Sequence, residues 1–258
     1  MAHQNGASGV IKLTGIFVAI YELTNINLNG GIMSKYIFAV LVLILLLSSG
    51  CGLKKQHEEV QPLVCVIAID GTGSYKYLDN AKNIVIDVVN ALPDKSKLYV
   101  RWITQDSNSD SASIVSAIIP VTKKKINPFD QKGKRLAEIS RARKIKIMNQ
   151  VTKVINGAKS PKAGRTDIYG TIYAASERFS SNSDMLPLLI LLTDMDDNAG
   201  NKEKYTIDLG GADVKVLGYQ VGPNADGYKK MWSDYLISVG AGEVDFQHID
   251  EPLTIGGL

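Results

Sequence analysis

Cysteine and histidine are scarce: the 258 residues hold two cysteines, Cys51 and Cys65, and three histidines, His3, His57 and His248. So small a supply excludes a disulfide-stapled scaffold and leaves no Cys/His cluster for zinc. The histidines lie far apart and beside no evident carboxylate, so histidine-based acid–base or nucleophilic catalysis is not expected. Charge of one sign is missing as well, since 29 Lys and Arg against 26 Asp and Glu leave a net +3, which by itself names no partner. The longest apolar run, Tyr36 to Leu47, has twelve residues, short of the ~20 that span a bilayer as a helix. No internal repeat is evident.

That apolar run has a context. Met33-Ser-Lys35 precedes it and Ser48-Ser-Gly-Cys51 comes after it. A cationic start, an apolar stretch and small residues before a cleavage point describe a secretory signal, and the cysteine makes it resemble a bacterial lipoprotein signal. The resemblance implies that Cys51 becomes the lipidated first residue after cleavage, tethering the rest to a membrane outside the cytoplasm. Ser48 departs from the pattern, because the family usually carries Leu three residues before the Cys and here Leu47 stands one place early. An uncleaved anchor is the alternative, and it leaves the remainder on the same side. Gly52 lacks the acidic side chain associated with inner-membrane retention in the lipoproteins it resembles, which implies the outer membrane. The expected organisation is an upstream extension or mis-assigned start over 1–32, a signal over 33–50, a polar tether over 51–62, one domain over 63–252 and a tail over 253–258. About 200 residues after Cys51 suffice for one sizeable core.

Leu63 to Ile69 is a continuous apolar run rich in β-branched residues, the pattern of a strand buried on both faces. Cys65 sits within it and reads as a small core hydrophobe. Tyr75 to Leu92 has the spacing of an amphipathic helix, stopped by Pro93. Leu98 to Thr104 reads as a strand, Gln105 to Ser113 as a polar loop, and Ser116 to Thr122 as a short strand that Pro120 confines to an edge. Gln131 to Ala158 is helical with apolar positions at Leu136, Ile139, Ile147, Val151 and Ile155, although Arg143 falls on that stripe and predicts a break or shallow burial. A loop over 159–164 leads to a helix from about Asp167, with Ile168, Ile172, Ala175 and Phe179 inward. Met185 to Leu192 reads as a second buried strand, Val214 to Val221 as another, Asp226 to Val239 as a helix and Val244 to His248 as the last strand. Tyr219, Tyr228, Trp232, Tyr235 and Phe246 are expected to pack between the last strands and helix. Strands alternating with helices predict an α/β fold: a doubly wound, mainly parallel, six-stranded sheet flanked by helices.

In such a fold ligands sit beyond the carboxyl ends of the strands. Three loops fall there: Asp70-Gly-Thr72-Gly-Ser74, Gly164-Arg-Thr166-Asp167 and Thr193-Asp194. Carboxylates and hydroxyls are hard oxygen donors suited to Mg²⁺, Ca²⁺ or Mn²⁺. The set resembles the von Willebrand factor A domain, vWA, and its metal-ion-dependent adhesion site. That family carries Asp-x-Ser-x-Ser after the first strand, a Thr in a second loop and an Asp in a third. The resemblance implies that Thr72 and Ser74 ligate the ion directly and that Thr166 does so directly or through water. Asp70 and Asp194 are implied to hold coordinated waters. Thr72 replaces the family's usual Ser and keeps the hydroxyl, whereas Met195 stands where the family usually has Gly after the third-loop Asp. With Mg²⁺ as first choice, the family's use of such a site is to capture a protein partner whose acidic side chain completes the metal shell, without turnover.

Asp196, Asp197 and Asn198 read as a solvated acidic loop, with a second cation site as the sharper alternative. Lys123, Lys124, Lys125, Lys134, Arg135, Arg141, Arg143, Lys144 and Lys146 make the one strongly basic region, 123–146. A solvated helix face is the plain reading of it; contact with anionic lipid or cell-wall polymers is the sharper one, and no nucleic acid is expected. Two other functions compete. Asp70-Gly-Thr72 resembles the second half of the haloacid dehalogenase phosphatase motif, but the nucleophile position holds Ala68, which cannot attack phosphorus. A metal-free interaction scaffold is the other.

Overall fold

Strand β1, Leu63–Asp70, is buried along all eight residues. Its alternate side chains enter two apolar layers. Cys65, Ile67 and Ile69 face helices α1, Leu78–Ala91, and α2, Gln131–Gly157; Val64, Val66 and Ala68 face α3, Ile168–Ser180, and α4, Ala225–Ser238. Each fully buried Ile or Val contributes about 1.5–3 kcal/mol, which is why a run with no polar face settles at the centre of the sheet. The computed structural model describes residues 60–123, 129–219, 225–251 and 253. The expected signal, Cys51 and most of the tether lie outside the described residues, as do Lys124, Lys125, Val221, Pro252 and most of the tail.

The remaining strands are β2, Lys97–Ile103, β3, Ser113–Ile118, β4, Leu186–Leu192, β5, Asp213–Leu217, and β6, Glu243–Gln247. They form one six-stranded sheet in the order β3-β2-β1-β4-β5-β6. Every pairing is parallel except β2 with β3. The chain therefore has the expected doubly wound α/β fold, with its strand order reversing at β1 and β4. Among the described residues no helix is long and apolar enough to cross a membrane.

Several boundaries differ from the sequence reading. Helix α1 starts at Leu78 rather than Tyr75, because Tyr75 and Tyr77 pack edge to face at 6.0 Å and join the core from the preceding turn. The edge strand runs earlier, over Ser113–Ile118, ending before Pro120, which has no N–H for the ladder. The polar loop before it contains a short 3₁₀ turn, Asp110–Ala112. Helix α2 is unbroken: its inward stripe runs through Ala137, Val151 and Ile155, while Arg143, Leu136 and Ile139 stay exposed. Burial is shallow as expected, without the break. Cys65 is buried, and burial pushes its thiol pKa up. Trp232 and Tyr235 pack with Tyr169, and Tyr219 with Phe246; Tyr228 is exposed. His248 has a carboxylate neighbour after all, with Nδ1 3.5 Å from Asp250 Oδ2, both on the surface.

Helix α2 is fastened to the amino end of the sheet through Asp94, whose carboxylate accepts from Thr122 N at 2.5 Å, Thr122 Oγ1 at 3.1 Å and Lys144 Nζ at 2.8 Å. Burial opposes ionisation, but these donors and the Lys144 charge outweigh it and hold Asp94 below the ordinary carboxylate range. A carboxyl whose folded pKa is depressed stabilises the fold above its unfolded value and loses that contribution as pH falls through it. Asp94→Asn is expected to cost about 1 kcal/mol at neutral pH. In urea titrations across the acid range the gap from wild type should close as pH drops below the carboxylate range.

Candidate metal centre

The carboxyl end of β1 delivers Asp70 into a nearly closed environment, 2% exposed. Its Oδ1 accepts from Thr72 N at 2.9 Å and from Thr72 Oγ1 at 2.7 Å. Its Oδ2 accepts from Thr193 Oγ1, at the end of β4, at 2.9 Å. Both oxygens are thus committed to protein donors. A hydroxyl that gives its proton to a carboxylate turns its lone pairs the other way, and Ser74 Oγ stands 3.2 Å from Thr72 Oγ1. Thr72 is largely buried and Ser74 is exposed, so the pair opens toward solvent.

The second loop is tied to the first through Gly71. Gly71 N donates to Ile103 O at 2.9 Å, and Gly71 O accepts from Ala163 N at 3.0 Å and Ser160 Oγ at 2.9 Å. Thr72 and Ala163 form an isolated parallel bridge. A Cβ at residue 71 would lie 2.8 Å from Pro161 Cγ and 2.9 Å from Ile103 O, so only glycine allows this approach. Thr166 is buried in the same loop, its N–H donating to Asn198 Oδ1 at 2.8 Å and its carbonyl accepting from Asn198 N and Ala199 N.

The third loop comes directly after β4. Asp194 is half-buried, and its Oδ1 accepts from Asp196 N at 3.1 Å. Its pKa is raised, first by desolvation and then by the charges of Asp70 and Asp196 against the lowering of its backbone hydrogen bonds. A half-buried carboxyl whose ionisation is opposed by burial and by a neighbouring carboxylate is one that a divalent cation relieves. Met195 takes the left-handed turn at φ 64° while fully buried, and Trp232 Nε1 donates to its carbonyl at 3.0 Å. Met195 thus adopts a backbone conformation that ordinarily favours glycine.

Thr72 and Ser74 are in direct contact, and Asp70 and Thr193 link their loop to that of Asp194. Thr166 joins through Asn198 and the Ala163 bridge. All are oxygen donors, as a hard cation requires, and the described residues hold no group of three or more His, Cys, Asp or Glu placed to share a metal ion. The hydroxyls of Thr72 and Ser74 and the carboxylates of Asp70 and Asp194 are donors of the type a hard divalent cation takes. Sequence reasoning named Thr193 and Asn198 without giving them these contacts, and it missed Tyr75. Tyr75 Oη is buried without a hydrogen-bond partner, and desolvation together with the charges of Asp70 and Asp194 raises its pKa. Its place beside Ser74 was the available signal. The acidic loop is more than solvated: Asp197 Oδ2 accepts from Ile168 N at 2.7 Å and caps α3 jointly with Asp167, whose Oδ1 accepts from Gly170 N at 2.9 Å.

No protein-family model and no curated protein matches the chain. Among solved structures, a von Willebrand factor type A protein from Catenulispora acidiphila is similar at 18% identity and a TM-score of 0.44, covering 74% of this chain and 39% of that one. The human COPII-coat protein Sec24c is similar at 10% identity and a TM-score of 0.30, covering 75% of this chain and 30% of that one. The chain thus spans well under half the length of either neighbour, and the fold assignment stands on the strand order and the two helix layers.

Proposed function

We propose that the domain is a vWA-type binding module that holds Mg²⁺, or Ca²⁺ or Mn²⁺, through Thr72, Ser74 and Thr166 with Asp70 and Asp194 behind them. It captures a protein partner through an acidic side chain that completes the metal shell, and it performs no turnover. The observation that carries this reading is the hydroxyl pair of Thr72 and Ser74, backed by a buried carboxylate whose two oxygens are already taken. With two carboxylates against a doubly charged ion, the centre is near neutral and leaves room for one more anionic ligand. The lipoprotein-like signal adds the setting: a domain anchored by Cys51 in a bacterial envelope, outside the cytoplasm and with the outer membrane preferred.

Mn²⁺ titration of the full chain, monitored by the free-ion paramagnetic resonance signal, tests the centre. One Mn²⁺ per chain, displaced by Mg²⁺, is expected. Ser74→Ala and Asp70→Ala should each weaken binding by at least about 10–100-fold. Unchanged affinity in Asp70→Ala refutes the assignment. Mass spectrometry of the native protein tests the anchor: an acylated Cys51 at the amino terminus is expected, and any peptide from before Met33 overturns the start placed there.

A further inference from the structure

Helix α2 is longer than the sheet it packs on. Its 27 residues span about 40 Å, whereas the eight residues of β1 span about 26 Å. Its carboxyl end is pinned at the metal-loop end of the sheet, where Lys82 Nζ donates to Ala158 O at 2.7 Å and Ala163 bonds Gly71. Its middle is pinned at the opposite end, where Lys144 meets Asp94 and Ser140 Oγ accepts from Lys123 N at 3.0 Å. The residues before Ser140 therefore overhang the amino end of the sheet by more than two turns. At this end too the chain enters β1, with Leu63 N donating to Ser96 Oγ and Leu186 N to Pro62 O.

The overhang buries only Ala137 and is otherwise neither core nor an ordinary solvated surface. Phe129 is 89% exposed and Ile139 54%, with Leu136 between them. Ile118 at the carboxyl end of antiparallel β3, Val121 just beyond it and Leu186 at the start of β4 are exposed at this same end of the sheet. On the overhang and the turns just after it the helix carries Lys132, Lys134, Arg135, Arg141, Arg143 and Lys146 against one acid, Glu138, while Lys144 is paired with Asp94. The whole chain is only +3, so the rest of it is net acidic. Cationic heads around exposed Phe, Leu and Ile are the composition of a helix that lies in an anionic lipid interface. A nucleic-acid face needs the charge but not the aliphatic groups.

We propose that the amino-terminal overhang of α2, with the adjoining strand ends, is a membrane-docking foot that seats on anionic phospholipid headgroups and points the metal loops away from the bilayer. It stands on the placement of these residues and is independent of the metal assignment. The test uses the full chain with brominated-lipid quenching of tryptophan introduced by Ile139→Trp, compared with Met231→Trp on α4 in the opposite layer. The native Trp102 and Trp232 are buried and give a constant background. Vesicles of phosphatidylcholine alone are set against equal parts phosphatidylcholine and phosphatidylglycerol.

Ile139→Trp should be quenched on the anionic vesicles and Met231→Trp should not. Combining Arg135→Glu, Arg143→Glu and Lys146→Glu should lower the docking equilibrium about a hundredfold or more, with unchanged circular dichroism. Equal quenching at both positions, or equal quenching on neutral vesicles, overturns the proposal and leaves attachment to the amino-terminal segment alone. Duplex DNA binding that the same triple variant abolishes, without vesicle quenching, overturns it in favour of a nucleic-acid face.

Discussion

Saturating Mg²⁺ should raise the thermal unfolding midpoint of the full chain by about 5–10 °C. A ligand at a hundred times its dissociation constant adds about 2.7 kcal/mol to the folded state, and for a domain of this size each kcal/mol moves the midpoint by about 2–4 °C. The same titration on Asp70→Asn should give no shift. Asparagine keeps the shape at residue 70 but removes one of the two negative charges, with Asp194, that would face a bound cation. Without metal the variant is penalised only modestly. Thr72 and Thr193 lose a charged acceptor, a loss of about 1.5–3 kcal/mol for a bond of that class, while removing the charge relieves Asp194. The net cost is about 1 kcal/mol. A Mg²⁺ shift that survives in Asp70→Asn, or that an ionic-strength-matched sodium salt reproduces, refutes cation binding here and favours the metal-free scaffold.

The contrast between Asp70 and its neighbours shows which parts of the site were legible in the sequence. Asp70, Thr72 and Ser74 are close in the chain, so their contact is set by one tight turn after an apolar strand. The third loop was equally accessible, because Met185 to Leu192 has no other use than a buried strand, and the residues just beyond the carboxyl end of such a strand lie at the ligand edge. Thr166 was placed by resemblance alone. The groups that hold it, the Gly71–Ala163 link and the Asn198 side chain, join residues 92 and 32 positions apart, and no local pattern encodes such pairings. Asp197 was misjudged for the same reason: an acid in a polar loop looks solvated until a helix start, Ile168 N, is found beneath it. In α2, periodicity found the helix but put Leu136 and Ile139 on its inner face. Those residues lie on the overhang, where Ala137 alone is buried, so the apolar spacing that ordinarily marks burial marks an exposed surface instead.

Met195 gives the second large effect, and its sign separates two costs. A non-glycine residue held at φ 64° carries about 1–2 kcal/mol of steric strain, yet its side chain is fully buried in the layer with Trp232. Met195→Ala empties that volume and keeps the strain, for a loss of about 2–5 kcal/mol. Met195→Gly empties slightly more volume and removes the strain, so it should be the milder of the two by about 1 kcal/mol, the reverse of the ordinary order of Ala and Gly. For a domain of this size Met195→Ala lowers the unfolding midpoint by about 5–15 °C, and Met195→Gly recovers a few degrees of that. Trp232 Nε1 bonds the residue 195 carbonyl and not its side chain, so both variants keep the third-loop anchor, and Mg²⁺ affinity in each stays within about threefold of wild type by this account. Should Ala prove milder than Gly, the left-handed turn is not retained and the resemblance of the third loop to the vWA pattern fails at its backbone. Should stability keep the expected order while Mg²⁺ binding collapses, the methionine itself orders Asp194, and the exchange of Gly for Met becomes part of how this chain builds its metal centre.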